Sequence, residues 1–500
     1  MTIAFNKKAA AAVCTTLLAL GTFSCQTDKL SPAPITLFSD QVVFASPTRI
    51  GLQVNNLYSY IKTGGFLGGR FQIYGDIRAN DFINRTSNTV TGLGVWNHTE
   101  QETSQNDVIN TWGCAYAAIN QVNVFLAGMD ANASKFVAPI FPADFAATAT
   151  NYKAEARLLR ALSYYSLLQL YARPYADGNG SKPGLPLRLL AETDATHNDL
   201  ARSTVSEVYT QILADLNYAE SNLPLTYTGA TATTLNVTRA HRNTAIALKT
   251  RVYLSMGRYA DVIIEANKLV PATAPFVAAS GVPHSLNASI TNVFAKPQET
   301  LESILSFPFT AQDPPGTQNQ LAAYYLPSSL GGGGEYGLNT AVGGVLSNAS
   351  WAATDARRTN FVATVGTESF LKKYPTGTPY DDKAPVIRYA EVLLNLAEAR
   401  VRSTNTIDPQ ALQLLNAVRG RSIPTGVYVT FASPSDMTDA LLLERRIEFL
   451  GEGIRNIDLM RLNATIPGKG SVPAVDPTSP AYVWPIPSTE LAVNKLMVRN

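Results

Sequence analysis

The chain has 500 residues, of which 46% are hydrophobic and 16% charged, and its formal net charge is +2. These values indicate a folded protein with a large core, and they argue against a disordered chain and against a nucleic-acid partner. The three cysteines, Cys14, Cys25 and Cys114, form no CxxC pair and have no companion histidine spacing, which argues against a disulfide framework and a structural zinc site.

The amino terminus has the pattern of an export signal. Lys7 and Lys8 precede an apolar run of 15 residues from Ala9 to Phe23, too short for the ~20 residues of a membrane-spanning helix. The following Ser24-Cys25 resembles a bacterial lipobox, although Thr22 stands where leucine is usual. We therefore predict a signal peptide over 1–24, a lipid on Cys25 and a tether over 25–40. An ordinary signal peptide that leaves Cys25 unmodified stays open as the alternative.

Helical periodicity dominates the next part of the chain. "DQVVFASPTRIGLQVNNLYSYIK" and "TWGCAYAAINQVNVFLAGM" predict amphipathic helices on either side of a Gly-, Thr- and Asn-rich segment over 63–105. "NYKAEARLLRALSYYSLLQLYARPY" repeats apolar residues at helical 4-3-4-3 spacing and predicts a long helix. A further helix is predicted after Ser203 as N-cap, ending before Pro224.

Two segments predict pairs of helices. "TAIALKTRVYLSMGRYADVIIEANKLV" resembles a tetratricopeptide-type pair, with Tyr253, Gly257 and Tyr259 at the aromatic and turn positions. "VIRYAEVLLNLAEARV" with "DPQALQLLNAVRGRS" is a second candidate. A helix pair cannot bury its apolar face alone, so we predict a mainly α protein with stacked, tetratricopeptide-like pairs that follow no strict period.

A segment over 271–380 interrupts this helical pattern. It is rich in Pro, Gly, Thr and Ser, and shows only short apolar alternations such as "ESILSFPF". We therefore expect one domain over 41–500, with a helical scaffold over 41–270 and 381–465, a long loop-rich insertion over 271–380 and a carboxy-terminal tail over 466–500. A long irregular insertion of this kind is usually functional.

The sequence contains little catalytic chemistry. The four histidines are scattered, and there is no HExxH, GxSxG or phosphate-binding loop, so no catalytic, metal-binding or cofactor-binding residues are predicted. Glu391 and Glu398 lie about 10.5 Å apart by helix rise, too far for a usual pair of glycosidase carboxyls. We interpret them, and the charged ladder of "LERRIEFLGEGIRNIDLMRL", as structural ion pairs; a docking surface stays open as the alternative for the ladder.

Aromatic residues in polar loops predict a sugar-binding surface. Sugar rings present apolar C–H faces that stack on Trp and Tyr, while their hydroxyls need Asn, Asp and Arg. The segments "GDIRANDFIN" and "GLGVWNHTEQ" and the insertion over 320–351 combine these residue types. The candidate ligand-binding residues are Arg78, Asn80, Asp81, Trp96, Asn97, Tyr324, Tyr325, Tyr336 and Trp351.

Four features together resemble the SusD/RagB family of outer-membrane nutrient-uptake lipoproteins. They are the signal ending at Cys25, "RYAEVLLNLAEA" (388–399), "ERRIEFLGEGIRNIDLMRL" (444–462) and "WPIPSTELAVNKLMVRN" (484–500). The last two match the family patterns ERR-x-E-(x)-EG-x-R-x-x-DL-x-R and PIP-x-x-E-x-x-x-N…QN, with Arg499 in place of the usual terminal Gln. The resemblance spans nearly the whole chain.

The resemblance implies a surface-exposed protein, anchored in the outer membrane by its amino-terminal lipid. Such a protein binds oligosaccharide and acts as the lid of a SusC-like TonB-dependent β-barrel transporter. By position, the best match to the family's aromatic platform is at Arg78, Trp96 and Asn97. Peptide capture on the same architecture stays open as an alternative, and a surface glycoside hydrolase is a weaker one.

Overall fold

The computed structural model describes residues 40–500. The predicted signal peptide, Cys25 and the tether up to residue 39 lie outside these residues. Within the described part, no helix is both long and apolar enough to cross a membrane.

The regular elements in the first half of the described chain are almost all helices, as predicted. Its elements are α1 (Asp40–Val43), α2 (Pro47–Ile61), α3 (Arg70–Ile77), β1 (Phe82–Asn84), α4 (Leu93–Asn97), α5 (Asn110–Ala131), α6 (Phe145–Tyr171), α7 (Val205–Asn222), α8 (Ala232–Thr238), α9 (Arg242–Ser255) and α10 (Tyr259–Ala266).

The second half alternates short strands and helices before it returns to long helices. Its elements are α11 (Ile290–Phe294), β2 (Ser303–Phe307), α12 (Leu321–Tyr325), β3 (Tyr336–Leu338), α13 (Ala356–Phe361), β4 (Val362–Val365), β5 (Glu368–Leu371), β6 (Ala384–Arg388), α14 (Tyr389–Thr404), α15 (Pro409–Gly420), α16 (Pro434–Glu448), α17 (Ile454–Arg461) and α18 (Ser488–Val493).

Two predicted helix starts were wrong, and local chemistry explains both. The first predicted helix is divided into α1 and α2, because Ser46 is extended and Pro47 opens a new helix at its first position. Helix α7 is capped by Thr204 and not by Ser203. The Thr204 hydroxyl accepts from the Glu207 amide at 3.2 Å, and the Glu207 carboxylate accepts from the Thr204 amide at 2.7 Å. Such a capping box requires a three-residue spacing, which only Thr204 has.

The predicted helix pairs are present and pack on each other. Gly257 has φ +67° in the turn between α9 and α10, a left-handed conformation that suits glycine. Helix α10 packs against α14, and α14 packs against α15. The pairs thus bury each other's apolar faces in one large cluster that reaches from Val43 to Met497.

Two antiparallel strand pairs attach the insertion to the scaffold. Strand β3 pairs with β1, placing Tyr336 opposite Asn84, and β2 pairs with β6, placing Ser303 opposite Arg388. Strands β4 and β5 form a third two-stranded pair within the insertion. The insertion is therefore an ordered layer on the helices.

The predicted polar stripe of α14 consists of buried ion pairs. Glu391 accepts two hydrogen bonds of 2.6 Å from Arg251, and Glu398 accepts two of 2.7 Å from Arg461. Because each carboxylate is neutralised by an arginine, the structural interpretation of this stripe is confirmed.

A second ionic network is centred on Glu448 at the end of α16. Its carboxylate accepts from Arg357 of α13 at 3.0 Å, from Arg388 of β6 at 2.9 Å, and from Arg421 just after α15. The Glu448 side chain is 0% exposed. Burial opposes its ionisation, but Arg421, Arg388 and Arg357 outweigh this and hold the pKa of Glu448 well below its usual range.

Replacing Glu448 should be strongly destabilising. In Glu448→Gln the buried arginines lose their shared counter-charge, which we expect to lower the free energy of unfolding by about 3 to 5 kcal/mol. Glu102→Gln is the matched control, because Glu102 pairs with an Arg499 side chain that is 69% exposed; we expect it to cost less than about 1 kcal/mol. Urea unfolding followed by circular dichroism measures both, and equal losses would contradict the role of Glu448.

Two buried histidines make the stability of the fold sensitive to acid. The rings of His241 and His284 stack with centroids 5.1 Å apart. Burial lowers the pKa of His241 to about 3, with His284 adding to the effect, and lowers the pKa of His284 to about 4. Below the ordinary value of 6.5 the unfolded chain binds protons that the folded chain excludes. These histidines therefore reduce stability as pH falls from 6.5 towards 4.

The variant His284→Gln should weaken this pH dependence. We expect the slope of unfolding free energy against pH between 6 and 4.5 to fall by about 1.4 kcal/mol per pH unit. His197 is exposed, so His197→Gln should leave the slope unchanged. Urea unfolding at several pH values measures the slope, and an unchanged slope in His284→Gln would show that His284 is not responsible.

Candidate ligand-binding cleft

The structure places most of the predicted ligand-binding residues in the core. Arg78 is 0% exposed, and its guanidinium donates to the Asn456 side chain at 3.0 Å and to the carbonyl oxygens of Ala481 and Tyr482 at 3.2 and 3.0 Å. The prediction that Arg78 contacts a ligand is therefore corrected, because its donors hold the tail against α3 and α17.

Trp96 is also enclosed, with 8% of its surface exposed. Its indole N–H donates to the Phe82 carbonyl at 2.9 Å. The turn at Gly470, with φ +52°, lies over the ring, where an added Cβ would sit 3.7 Å from the indole. Asn97, the last residue of α4, is half-buried. The expected aromatic platform is thus covered by the carboxy-terminal tail.

The insertion aromatics are part of the protein core and pack partly on the scaffold. Tyr324 and Tyr336 stack with centroids 6.1 Å apart, and Tyr325 packs on Phe82 at 4.8 Å. All three tyrosines are 0% exposed, and Trp351 is 2% exposed. A layer with little regular structure needs large apolar side chains to hold it together, which is why these residues are buried. Their predicted contact with ligand is corrected on this ground.

Asn80 and Asp81 join two loops. The Asn80 amide donates to the Gly343 carbonyl at 2.6 Å, and the Asp81 carboxylate accepts from the Val345 amide at 2.7 Å. Asp81 also pairs with Arg446 of α16. Both side chains are nearly fully buried, so these contacts position loops and Arg446.

An open cleft lies elsewhere, between the end of α2 and the start of α5. Its volume is about 460 Å³, within the range of small-molecule sites. Three interior cavities hold only about 10 to 20 Å³ each, too little for a sugar ring. The cleft is lined by Asn56, Ser59, Tyr60, Thr63, Cys114 and Ala117.

Helical geometry produces this lining. Helix α2 buries Ile50, Val54, Leu57 and Ile61, which turns the opposite face, with Tyr60, towards solvent. Helix α5 contributes two small side chains, Cys114 and Ala117, to the lining. A polar and aromatic helix face thus lies beside an open, small-residue face.

The insertion braces the end of the cleft. Lys62 donates to the Pro308 carbonyl at 2.9 Å, and Arg70 donates to the Asn319 side chain at 2.5 Å. The turn between them approaches the insertion so closely that a Cβ at Gly64 would lie 1.9 Å from the Pro315 carbonyl oxygen. The rim of the cleft is therefore held at a fixed distance from the helices.

The cleft offers recognition chemistry and no reactive group. The side-chain amide of Asn56 and the hydroxyl of Tyr60 make no hydrogen bond within residues 40–500, which leaves both groups available to a ligand. Burial raises the pKa of the Cys114 thiol, against a hydrogen bond from Thr63 that lowers it, so the thiol is neutral at pH 7. No group of three or more His, Cys, Asp or Glu side chains in the described chain is arranged to hold a metal ion.

Sequence reasoning missed this cleft because it treated α2 only as an amphipathic helix. The signal was present in the polar face, where Asn56, Ser59, Tyr60 and Thr63 recur at helical spacing. An exposed tyrosine among amides and hydroxyls is the feature that distinguishes this face from an ordinary solvated one.

Comparison with known proteins places the chain in a family. Two family models match it, one described as the SusD family over residues 339–500 and one as starch-binding associating with outer membrane over residues 54–254. The chain is 23% identical to SusD-like protein P2 of Formosa agariphila over 528 aligned positions, covering 94% of this chain and 95% of that protein.

Solved structures share the fold. A laminarin binding SusD-like protein superposes with a TM-score of 0.68 at 21% identity, covering 91% of this chain and 99% of that one. A SusD superfamily protein from Bacteroides fragilis superposes with a TM-score of 0.79 at 33% identity, again covering 91% of this chain and 99% of that one. The chain therefore belongs to the SusD/RagB family.

Proposed function

We propose that this protein is a non-catalytic glycan-binding lipoprotein of the cell surface. The observation that carries the proposal is the cleft of about 460 Å³ with an exposed tyrosine, a free amide and two hydroxyl side chains. The Tyr60 ring supplies an apolar face for the C–H side of a sugar, and Asn56, Ser59 and Thr63 supply partners for its hydroxyls. The laminarin-binding structural neighbour supports the same ligand class.

In this proposal the protein works at the outer membrane. The starch-binding family model is described as associating with outer membrane, which supports that location. With Cys25 acylated, the protein is held in the outer membrane, and family membership supports a SusC-like TonB-dependent transporter as the partner that receives the oligosaccharide. In this arrangement the protein captures glycan and delivers it, and cleavage is left to other proteins.

Glycan binding should depend on Tyr60 and Asn56. We expect Tyr60→Ala to weaken binding of the best glycan by about tenfold or more, because loss of a stacking ring and its contacts costs about 1 to 3 kcal/mol. Asn56→Ala should weaken it by a smaller factor. Isothermal titration calorimetry against a panel of neutral polysaccharides measures both.

Two neighbouring substitutions serve as controls for the cleft. Asn55 and Leu52 are exposed on the same helix but do not line the cleft, so Asn55→Ala and Leu52→Ala should bind glycan like the wild type. Binding of peptides with no binding of any glycan would overturn the proposal in favour of peptide capture.

Membrane anchoring should depend on Cys25. We expect labelled palmitate to enter the wild type and not Cys25→Ala, and we expect the variant to leave the membrane fraction, because two acyl chains anchor a protein stably. Cys14→Ala is the matched control, since Cys14 lies within the predicted signal. Equal labelling of the wild type and Cys25→Ala would contradict lipidation at Cys25.

A further inference from the structure

The connection between α5 and α6 presents a run of exposed apolar residues. Residues 136–144, "FVAPIFPAD", form this apolar loop, and Asp144 is their only charged residue. Four consecutive residues of the loop are exposed, namely Val137, Ala138, Pro139 and Ile140. Val137 is 59% exposed and Ile140 is 65% exposed. A contiguous apolar patch of this kind marks a contact with a protein or a membrane.

The apolar loop stands on an aromatic base. The rings of Phe136, Phe141 and Phe145 contact one another, with centroids 4.7 to 5.4 Å apart. The Val137 carbonyl accepts from the Phe141 amide at 3.1 Å, which closes the turn that carries Ile140. Because the phenylalanine rings fill the space beneath the turn, the side chains of Val137 and Ile140 have no room to fold inwards.

The described chain begins at the same end of the helices as the apolar loop. Phe44, four residues after the first described residue, packs on Gly128 so closely that an added Cβ would overlap its ring. The end of α5 and a 3₁₀ turn separate Gly128 from Phe136, a rise of about 15 Å at most. Near the start of α2, a Cβ added at Gly51 would lie 3.2 Å from the hydroxyl of Tyr152, in the second turn of α6.

The candidate cleft lies at the other end of these helices. It is lined by the end of α2 and the start of α5. Along α2, the rise from Pro47 to Tyr60 is about 20 Å, and along α5 the rise from Ala117 to Ala131 is similar. A surface that contacts the apolar loop end-on therefore leaves the cleft facing away from it.

The position of the lipid anchor identifies that surface as a bilayer. Residues 25–39 connect the predicted lipid on Cys25 to this end of the fold, and 15 residues span at most about 50 Å. The anchor thus keeps the apolar loop within reach of the lipid. An uncharged run from 137 to 143 suits the boundary between headgroups and acyl chains, where apolar side chains leave water.

We propose that the apolar loop inserts Val137 and Ile140 into the lipid surface that carries the anchor, and thereby turns the candidate cleft away from the membrane. This inference rests on the proposed lipid anchor at Cys25 and is independent of which ligand the cleft binds. The loop adds a second membrane contact to the acyl chains, and the two together fix the orientation that a flexible anchor alone leaves free.

The test attaches the mature protein to vesicles and reads a tryptophan placed in the apolar loop. With Cys114→Ala, Cys25 is the only thiol from residue 25 onwards, so coupling to a maleimide lipid supplies the anchor without cellular acylation. The vesicles are phosphatidylcholine with or without brominated acyl chains, which quench a tryptophan that enters the bilayer. Ile140→Trp is the probe, and Tyr60→Trp in the cleft is the matched control. The native tryptophans are at most 8% exposed and give a constant background.

We expect brominated lipid to reduce the emission of the added tryptophan in Ile140→Trp by about twofold or more, because interfacial side chains lie about 5 to 10 Å deep. Tyr60→Trp should keep its emission with brominated lipid and lose it to acrylamide in the water. Adding Val137→Asp to Ile140→Trp should abolish the lipid quenching, since a carboxylate resists transfer from water. Sodium chloride should not change the quenching, because the contact is apolar.

Urea unfolding checks that these variants are intact. Positions 137 and 140 are exposed, so their substitution should leave the unfolding midpoint of the protein unchanged. Glycan titration of the same samples should also be unchanged for Ile140→Trp, since the apolar loop does not line the cleft.

The outcomes separate this inference from the proposed function. Absence of lipid quenching in coupled Ile140→Trp overturns insertion of the loop, whatever the cleft binds. Equal quenching of Ile140→Trp and Tyr60→Trp overturns the proposed orientation. Self-association that protects Ile140→Trp from acrylamide without vesicles assigns the loop to a second copy of the chain and overturns the lipid contact. Quenching in the coupled protein without palmitate labelling at Cys25 in cells supports the loop and overturns the natural anchor.

Discussion

The assembly of this fold depends on the neutralisation of buried arginines by Glu448. Arg357 belongs to the insertion, Arg388 precedes α14, and Arg421 follows α15. Each of these side chains is almost completely removed from water. Their other carboxylate partners are Asp355, Glu444, Glu302 and Glu452, and two of these also pair with Arg419 and Lys373, so docking without Glu448 would leave one buried positive charge uncompensated. The insertion and the helical scaffold therefore share one electrostatic condition for folding, which couples two parts of the chain that differ greatly in composition.

The helical scaffold was largely predictable because a helix is recognised from the spacing of apolar and charged residues within its own segment. Apolar spacing located α5, α6 and both helix pairs, and the regular charges of α14 indicated the ion pairs that Glu391 and Glu398 make. Gly451 and Gly453, both with positive φ, separate α16 from α17 within the charged ladder. The first residue of a helix was harder to predict. The cap at Thr204 depends on the Glu207 carboxylate, which accepts a hydrogen bond from the Thr204 amide.

The candidate site was poorly predictable because burial of an aromatic residue is a tertiary property. Tyr324, Tyr336 and Trp351 lie in a loop-rich segment, and nothing local distinguishes a binding platform from a small core that stabilises the loops. Tyr60 differs from them, since it belongs to a regular helix and is 36% exposed in the cleft that it lines together with Cys114 and Ala117 of α5. Exposed loop composition was therefore a weaker guide than the polar face of a well-defined helix.

A cleft built on two packed helices costs little to order when ligand binds. Its walls are fixed by the core, and its rim is fixed by Lys62 and Arg70 contacts to the insertion. The insertion thus fixes the rim of the cleft without lining it, because it sets the position of the turn after α2.

The enclosure of the indole rings has a spectroscopic consequence. All four tryptophans, Trp96, Trp112, Trp351 and Trp484, are at most 8% exposed, and none of them lines the cleft. Their emission reports the integrity of the core, and collisional quenchers should reach them poorly in the native state. A sugar seated on Tyr60 would alter tyrosine absorbance directly, whereas a large change in tryptophan emission on adding glycan would mean that the tail over Trp96 has moved.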